Sequence, residues 1–393
     1  MSILRPFLSR VIHRGRLTVI DPDGGAETFG APAPGFPEVS VRFATRRAMR
    51  RVILDPRLGA GEAFMDGEME ITEGDIMGLI GLLRMNTPWD RGAKLKDKTR
   101  LGQWGDWVKT RLGSINRQRQ SRANVEHHYD IGNDLYRLFL DRDMQYSCAY
   151  WPREGMTLDE AQEAKKAHIA AKLALRPGQR ILDIGCGWGG FAQFAASRYD
   201  VQVTGISPAI EQVTVARENT VGLPVTILQK DYREMEGEFD RITSIGMMEH
   251  VGPRNLGTFF ETCDRLLVDN GMMLHHTIGS NEWKTHTDPW FDKYIFPGGV
   301  LPSLGQISRA AEKVWSIEDV HNFGPDYDRT LMAWHANISE RWDEIPQYGD
   351  HFKRTWEYYL LGSAAGFRVR ALQLFQVVFT KAKQRHPVYE AVR

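Results

Sequence analysis

The chain reads as an α/β protein, a doubly wound and largely parallel sheet preceded by a smaller mixed α/β domain. Three observations predict this. From about residue 123, short apolar strands alternate with helical stretches at the spacing of βαβ units. A glycine-rich turn, ILDIGCGWGG at 181–190, joins the first of these strands to a helix. The first 90 residues show strand-like alternation and one helix but no such repeat.

In order, RLTVI (16–20) and SVRF (40–43) alternate like strands, and the Pro/Gly-rich run DPDGGAETFGAPAPGFP between them reads as a loop. GDIMGLIGLLRM reads as a helix. Residues 1–90 are assigned to an N-terminal accessory domain, 91–122 to a basic linker and 123–393 to a second domain. In that domain LDEAQEAKKAHIAAKLAL is a long amphipathic helix and RILDIG a buried strand. GGFAQFAASRY is a helix, VQVTGIS a strand, AIEQVTVARENT a helix and VTILQKD a strand. FDRITSIGM, GMMLHHTI and LQLFQVVFTKA are further strands.

A chain of 393 residues is comfortable for two domains, and 42% hydrophobic residues suffice to bury two cores. Net charge is zero but unevenly spread: residues 1–122 hold 21 Lys/Arg against 14 Asp/Glu, a net of +7. The linker alone holds ten against two, with Trp104 and Trp107 among them. Such a segment suits an anionic partner, either nucleic acid or lipid head groups, or else is a solvated linker. Cys148, Cys186 and Cys263 are few and widely spaced, so neither a disulfide framework nor a metal site is expected, and a reducing, cytoplasmic compartment fits. The longest apolar run, IMGLIGLL, is bounded by Asp75 and Arg84 and is too short to span a bilayer. Any membrane contact is expected from the surface.

Glycines at 185, 187, 189 and 190 follow the strand end at Asp183–Ile184. Glycine permits positive φ and close approach of a ligand to the backbone. A GxGxxG turn alone is also found in dinucleotide folds. Here the second strand ends in GIS, without the acidic residue that commonly holds a ribose in dehydrogenases. The turn resembles the cofactor loop of Rossmann-like class I methyltransferases, which holds the methionine part of S-adenosylmethionine.

Further polar motifs flank that loop: YSCAYW (146–151), MMEHVG (247–252), HTIGS (276–280), DKYIFPGG (292–299) and HNFGPDYDRTLMAW (321–334). Singly, each has a structural reading; His275 and His276, for instance, read as one core and one exposed imidazole. Jointly they resemble the cyclopropane-fatty-acyl-phospholipid synthases over residues 123–393, and LGAGEAFMDGEME extends the likeness into the N-terminal, lipid-binding domain of that family. The resemblance implies transfer of a methylene unit from S-adenosylmethionine to the cis double bond of a phospholipid acyl chain, through a carbocation that loses a proton to bound bicarbonate. It implies that Cys148, Glu249, His276, the Ile278 backbone and Tyr327 hold this ion. The implied cofactor contacts are Tyr146, Ser147, Asp183, Gly185, Gly187, Ser207, Gln212, Asp231 and Tyr232, with the last two near the adenine. Glu249 would orient the ion's hydroxyl or hold His276 protonated, and Cys148 would be a weak donor rather than a nucleophile. Tyr129 and Tyr146 are candidates to face the sulfonium or the cation. His13, His168, His335 and His386 carry no motif.

The implied partners are phospholipid acyl chains and an anionic membrane surface at the inner face of the membrane. Nucleic acid is not implied, and a homodimer is. Within the family, the same electrophilic methylation can end in a methyl or methylene branch or a furan precursor, and the motifs do not separate these products. A small-molecule methyltransferase or a non-enzymatic binding protein would need neither the second polar set nor the basic linker.

Overall fold

A computed structural model describes residues 4–86, 132–383 and 389–393. The chain divides into two units: Met1–Arg111 with Asp288–Ile295 and Leu331–Leu372, and Leu112–Thr287 with Phe296–Thr330 and Gln373–Arg393. The sequence reading gave 123–393 to one domain, whereas contacts return two later segments to the N-terminal unit. The cause is apolar burial: Leu361 lies in the core of Leu17, Val19, Val41 and Phe64, with Met332 and Tyr358 packed against it. The basic stretch 91–122, Tyr129 and His386 lie outside the described residues.

The first unit opens with α1 (Arg5–Val11), β1 (Arg16–Ile20), β2 (Ala26–Phe29) and β3 (Glu38–Phe43). It continues with α2 (Arg46–Leu54), α3 (Pro56–Met65), β4 (Met69–Glu73) and α4 (Ile76–Asn86). Its sheet runs β2-β1-β3-β4. The run read as a loop therefore contains a strand. Asp21 turns the chain by accepting the Gly25 amide on Oδ1 (2.8 Å), Gly24 takes φ of +87°, and β2 folds back antiparallel on β1. The later helix Asp350–Arg368 packs on α3 and α4.

The second unit holds α5 (Asn133–Phe139), α6 (Leu158–Lys172), β5 (Arg180–Ile184), α7 (Gly190–Tyr199), β6 (Gln202–Ser207), α8 (Ile210–Asn219) and β7 (Val225–Gln229). These are followed by β8 (Phe239–Ile245), α9 (Leu256–Leu266), β9 (Leu267–Gly279), β10 (Trp315–Asn322) and β11 (Gln373–Lys381). The seven strands run β10-β11-β9-β8-β5-β6-β7. The five strands from β9 to β7 are parallel, and β11 inserts antiparallel between β9 and β10. Neighbouring residues point to opposite cores. Leu182, Met273 and Val377 face α9 and the helix Leu304–Ala311, while Ile181, Leu274 and Val378 face α6 and α7. Burial on both faces explains why these strands read as near-continuous apolar runs.

A capping box opens α6: Thr157 Oγ1 accepts the Glu160 amide (3.3 Å), and Glu160 Oε2 accepts the Thr157 amide (2.7 Å). Lys165, Lys166 and Lys172 of this helix are all buried. Lys172 Nζ stands 3.1 Å from Asp319 of β10, whose carboxylate also takes both terminal nitrogens of Arg393 (2.5 and 2.7 Å). Removing one member of a buried pair strands the other charge. Asp319→Ala is therefore expected to lower the unfolding free energy by about 3–5 kcal/mol. Asp319→Leu with Lys172→Met should recover most of that loss, as read from denaturant midpoints.

Candidate active site

The strands β5, β6 and β8 end together, and a cavity opens beyond their carboxyl ends. The turn after β5 is drawn to β6, because the amides of Gly185 and Cys186 both donate to the Ile206 carbonyl (2.9 and 3.0 Å). Gly185 has φ of +81°, and a Cβ there would stand 3.0 Å from Met247 Cβ. Glycine is required at this point on both counts. Tyr146, Ser147, Asp183, Gly185, Gly187, Ser207, Gln212, Asp231 and Tyr232 all line this one cavity. Gln145, Trp188, Lys230, Arg233, Met247 and His250 line it as well and were not foreseen.

Several of these groups are already engaged. Ser207 Oγ donates to Gln212 Oε1 (2.9 Å) and accepts the Ala209 amide (3.2 Å). Arg233 forks onto Asp231, with Nε 2.8 Å from Oδ1 and Nη2 2.7 Å from Oδ2. Tyr232 is buried against Phe259, and burial pushes its phenol up to about 12. Tyr146 packs edge-on against Tyr136 at a centroid distance of 5.1 Å. Asp183 differs from the rest. It is 1% exposed, its Oδ1 has no hydrogen-bond partner among the described residues, and burial raises its carboxyl to about 7 against the opposing pull of Lys165. A buried carboxylate oxygen without a donor, beside a glycine turn, suits a cationic ligand with hydrogen-bond donors, which S-adenosylmethionine is.

The segment 141–149 supplies the near wall, and α6 holds it from behind. Gln162 Nε2 donates to the carbonyls of Gln145 (3.2 Å) and Ser147 (2.9 Å). Lys165 Nζ, wholly buried, donates to Gln145 Oε1 and Ser147 Oγ, each at 2.8 Å. Burial lowers its amine to about 7, with Asp141 opposing that shift. Gln162 and Lys165 stand three apart on one helical face, and that spacing was the only sequence sign of their joint task.

None of the other five predicted residues lines the cavity, but Cys148, Glu249 and His276 adjoin residues that do. Cys148 follows Ser147 in the chain, and Glu249 lies between Met247 and His250. The Gly246 amide donates to the His276 carbonyl (2.8 Å), and Gly246 lines the cavity. The Ile278 amide donates to Glu249 Oε1 (2.6 Å), leaving Oε2 buried without a partner among the described residues. Burial raises the Glu249 carboxyl to about 7. His276 Nδ1 is 3.2 Å from the Gln376 amide nitrogen, and His276 Nε2 has no partner among the described residues. Tyr327 shares a helix with Asp326 and Thr330, which take the amides of Trp151 (2.8 Å) and Ala149 (3.1 Å) and so bring the Cys148 segment to that helix.

Two expectations change here. His275 and His276 are both buried, at 0% and 1% exposure, rather than one inside and one out. Burial, with Lys165, Lys172 and His168 nearby, holds the His276 imidazole well below its ordinary value, so it is neutral and not kept protonated by Glu249. The Cys148 thiol is pushed well above its ordinary value by burial and by Asp326, and it donates to the Ala149 carbonyl (3.1 Å). A protonated thiol is no nucleophile.

Residues 116–377 match the family model described as mycolic acid cyclopropane synthetase. The chain is 44% identical over 353 residues to the cyclopropane-fatty-acyl-phospholipid synthase of Escherichia coli (strain K12), covering 90% of each chain. Among solved structures it resembles the cyclopropane synthase MmaA2 from Mycobacterium tuberculosis, with a TM-score of 0.62 and 31% identity over 66% of this chain and 97% of that one. It also resembles mycolic acid cyclopropane synthase CmaA1 complexed with SAH and CTAB, with a TM-score of 0.61 and 33% identity over 66% and 97%.

Lys165→Met removes two hydrogen bonds to the cavity wall and the charge that opposes protonation of Asp183. Titration calorimetry near neutral pH is expected to show S-adenosylmethionine binding roughly tenfold more weakly, from a net loss of about 1 kcal/mol or more. The loss should shrink as pH rises and Asp183 ionises without its help. Affinity equal to the wild type across that range would contradict the role.

Proposed function

The chain belongs to the mycolic acid cyclopropane synthetase family and is an S-adenosylmethionine-dependent enzyme that cyclopropanates unsaturated lipid acyl chains, and we propose that a bicarbonate ion beside Glu249 and His276 serves as its base. When bound, the cofactor supplies a methyl group on positively charged sulfur, an electrophile strong enough for an unactivated double bond. Overall, one CH2 is added across the alkene and one proton is released.

The chain's own residues divide this work. Gly185, Gly187, Asp183 and the wall 145–147 hold the donor at the strand ends, and burial excludes water that would otherwise capture the cation left on the acyl chain. The observation that carries the base assignment is two buried atoms without partners among the described residues, Glu249 Oε2 and His276 Nε2, on residues whose chain neighbour (His250) or backbone partner (Gly246) lines the cavity. An ionised Glu249 accepts a hydroxyl hydrogen, a neutral His276 donates from Nε2, and the Cys148 thiol donates weakly once its hydrogen leaves the Ala149 carbonyl. The Ile278 amide serves this group through Glu249, and we assign Tyr327 to it because its helix holds the Cys148 segment.

We place phospholipid as the acyl carrier and an anionic membrane surface as the working location. No helix among the described residues is long and apolar enough to cross a membrane. On α2, Arg47 and Arg50 are exposed, and Leu54 is 80% exposed, a basic and apolar combination that suits a lipid head-group layer.

Purified protein incubated with S-adenosylmethionine and unsaturated phospholipid vesicles is expected to yield fatty acid methyl esters that have gained CH2 and lost the double bond, by mass spectrometry. Retention or migration of the double bond would instead indicate a branched product. Co-sedimentation with vesicles should rise with anionic lipid content and fall with salt. Glu249→Gln should keep cofactor affinity and lose about 10²–10⁴-fold in kcat. Because burial sets the Glu249 carboxyl at about 7 and the ionised form is the working one, wild-type kcat should fall as pH drops below about 7. A flat profile there, or turnover indifferent to removal of bicarbonate, would count against the assignment.

A further inference from the structure

Three strands place three polar side chains side by side. His276 of β9 is the register partner of Gln376 of β11, which is the register partner of His321 of β10. Register partners share a sheet face, so the three stand in one transverse row. His321 is committed elsewhere, its Nδ1 lying 3.2 Å from His168 Nε2 with Tyr150 stacked on the His168 ring at 4.4 Å. Gln376, 0% exposed, therefore turns its amide nitrogen to His276 Nδ1 at 3.2 Å. The Phe323 ring packs edge-on against the His276 imidazole at 5.7 Å and confines it.

We propose that Gln376 is a positioning residue that fixes His276 as the neutral tautomer protonated at Nε2, so that the imidazole offers the buried polar pocket a hydrogen-bond donor. A carboxamide nitrogen can only donate, so a ring nitrogen facing it must be the unprotonated one. The proton of a neutral ring then sits on Nε2, the atom left without a partner among the described residues. The reversed amide would place an oxygen against Nδ1 and draw the proton there. Nε2 and the ionised Glu249 Oε2 would then be acceptors only, and the pocket would lose its strongest donor. The choice of tautomer thus rests on a residue about a hundred positions away in sequence, delivered by strand pairing. This inference rests on the assignment of His276 to an anion site, and its test separates the two.

Protein labelled with ¹⁵N-histidine, with His276→Asn to assign the signal, is read by long-range proton–nitrogen NMR. The expected pattern is a protonated Nε2 and an unprotonated Nδ1 at neutral pH. Gln376→Glu presents only acceptors, so the proton should move to Nδ1 and kcat should fall roughly 10–100-fold, the range typical of residues that orient a working histidine. Affinity for S-adenosylhomocysteine should stay within about twofold. Gln376→Met, close in volume and without donors, should give mixed tautomers and an intermediate kcat, which keeps the test open should the Glu variant not fold. A wild-type ring protonated at Nδ1, or at both nitrogens, overturns the proposal, as do variants that only melt earlier while tautomer and kcat stay put. Bicarbonate-independent turnover with Nε2 protonated would remove the base assignment and leave this inference standing. Bicarbonate-dependent turnover with Nδ1 protonated would do the reverse.

Discussion

Pairing of β9 with β8 on one side and β11 on the other sets where His276, Ile278 and Gln376 stand and where Glu249 finds its donor. Ile245, His276 and Gln376 are successive register partners. A one-residue slip in either ladder would turn the His276 side chain to the opposite core, since side chains alternate across a sheet. The same ladder brings the Gly246 amide to the His276 carbonyl and sets Ile278 where its own amide meets Glu249. The cavity at the strand ends and the buried polar group of Glu249 and His276 share this backbone as their partition. A group on one side therefore acts on the other within a residue or two of chain.

The partition works because its charges are buried and few. Asp183, Lys165 and Glu249 are each drawn towards neutral pH by loss of hydration. A carboxyl held above its ordinary value contributes stability below that value and loses it as pH rises towards the native one, so ionising Asp183 and Glu249 near neutrality costs the fold something. The charge of Lys165 at Asp183 and the hydrogen bond from the Ile278 amide at Glu249 offset part of that cost. At Asp183 a cationic ligand would complete the offset, which makes the empty cofactor cavity less favourable than the filled one.

Local features told much of this in advance. The turn at 181–190 announced the cavity because glycine, strand and helix lie together in the chain. The residues named around it needed only a family pattern. What stayed hidden depended on distant partners. Lys165 looks like any lysine on the polar face of α6 until the 141–149 segment folds over it. Gln376 looks like a core oddity in an apolar strand until β9 lies beside it. The strand β2 hid in a run of Pro and Gly because its tight turn uses the residues that usually mark loops. The strand β10, WSIEDVHN, hid because only Trp315 and Asp319 are buried, four apart, so the alternation that marks a strand is missing. Nothing local marks Leu331–Leu372 as belonging with the first eighty-odd residues. That information is carried by apolar surface on α3 and α4 and on the helix Asp350–Arg368.

The split of the first unit has a consequence for how the chain is made. Synthesis proceeds from the N-terminus at about 5–20 residues per second. The helix that closes over α3 and α4 ends at Arg368. From the emergence of α4 to that point, a ribosome therefore works for roughly a quarter of a minute to a minute. Throughout that interval the first unit carries an open apolar face, and the sheet of the second unit is itself incomplete until β11 arrives. Both units are thus completed by neighbouring stretches of chain, the helix ending at Arg368 and the strand β11, and the nascent chain must be shielded until both have emerged.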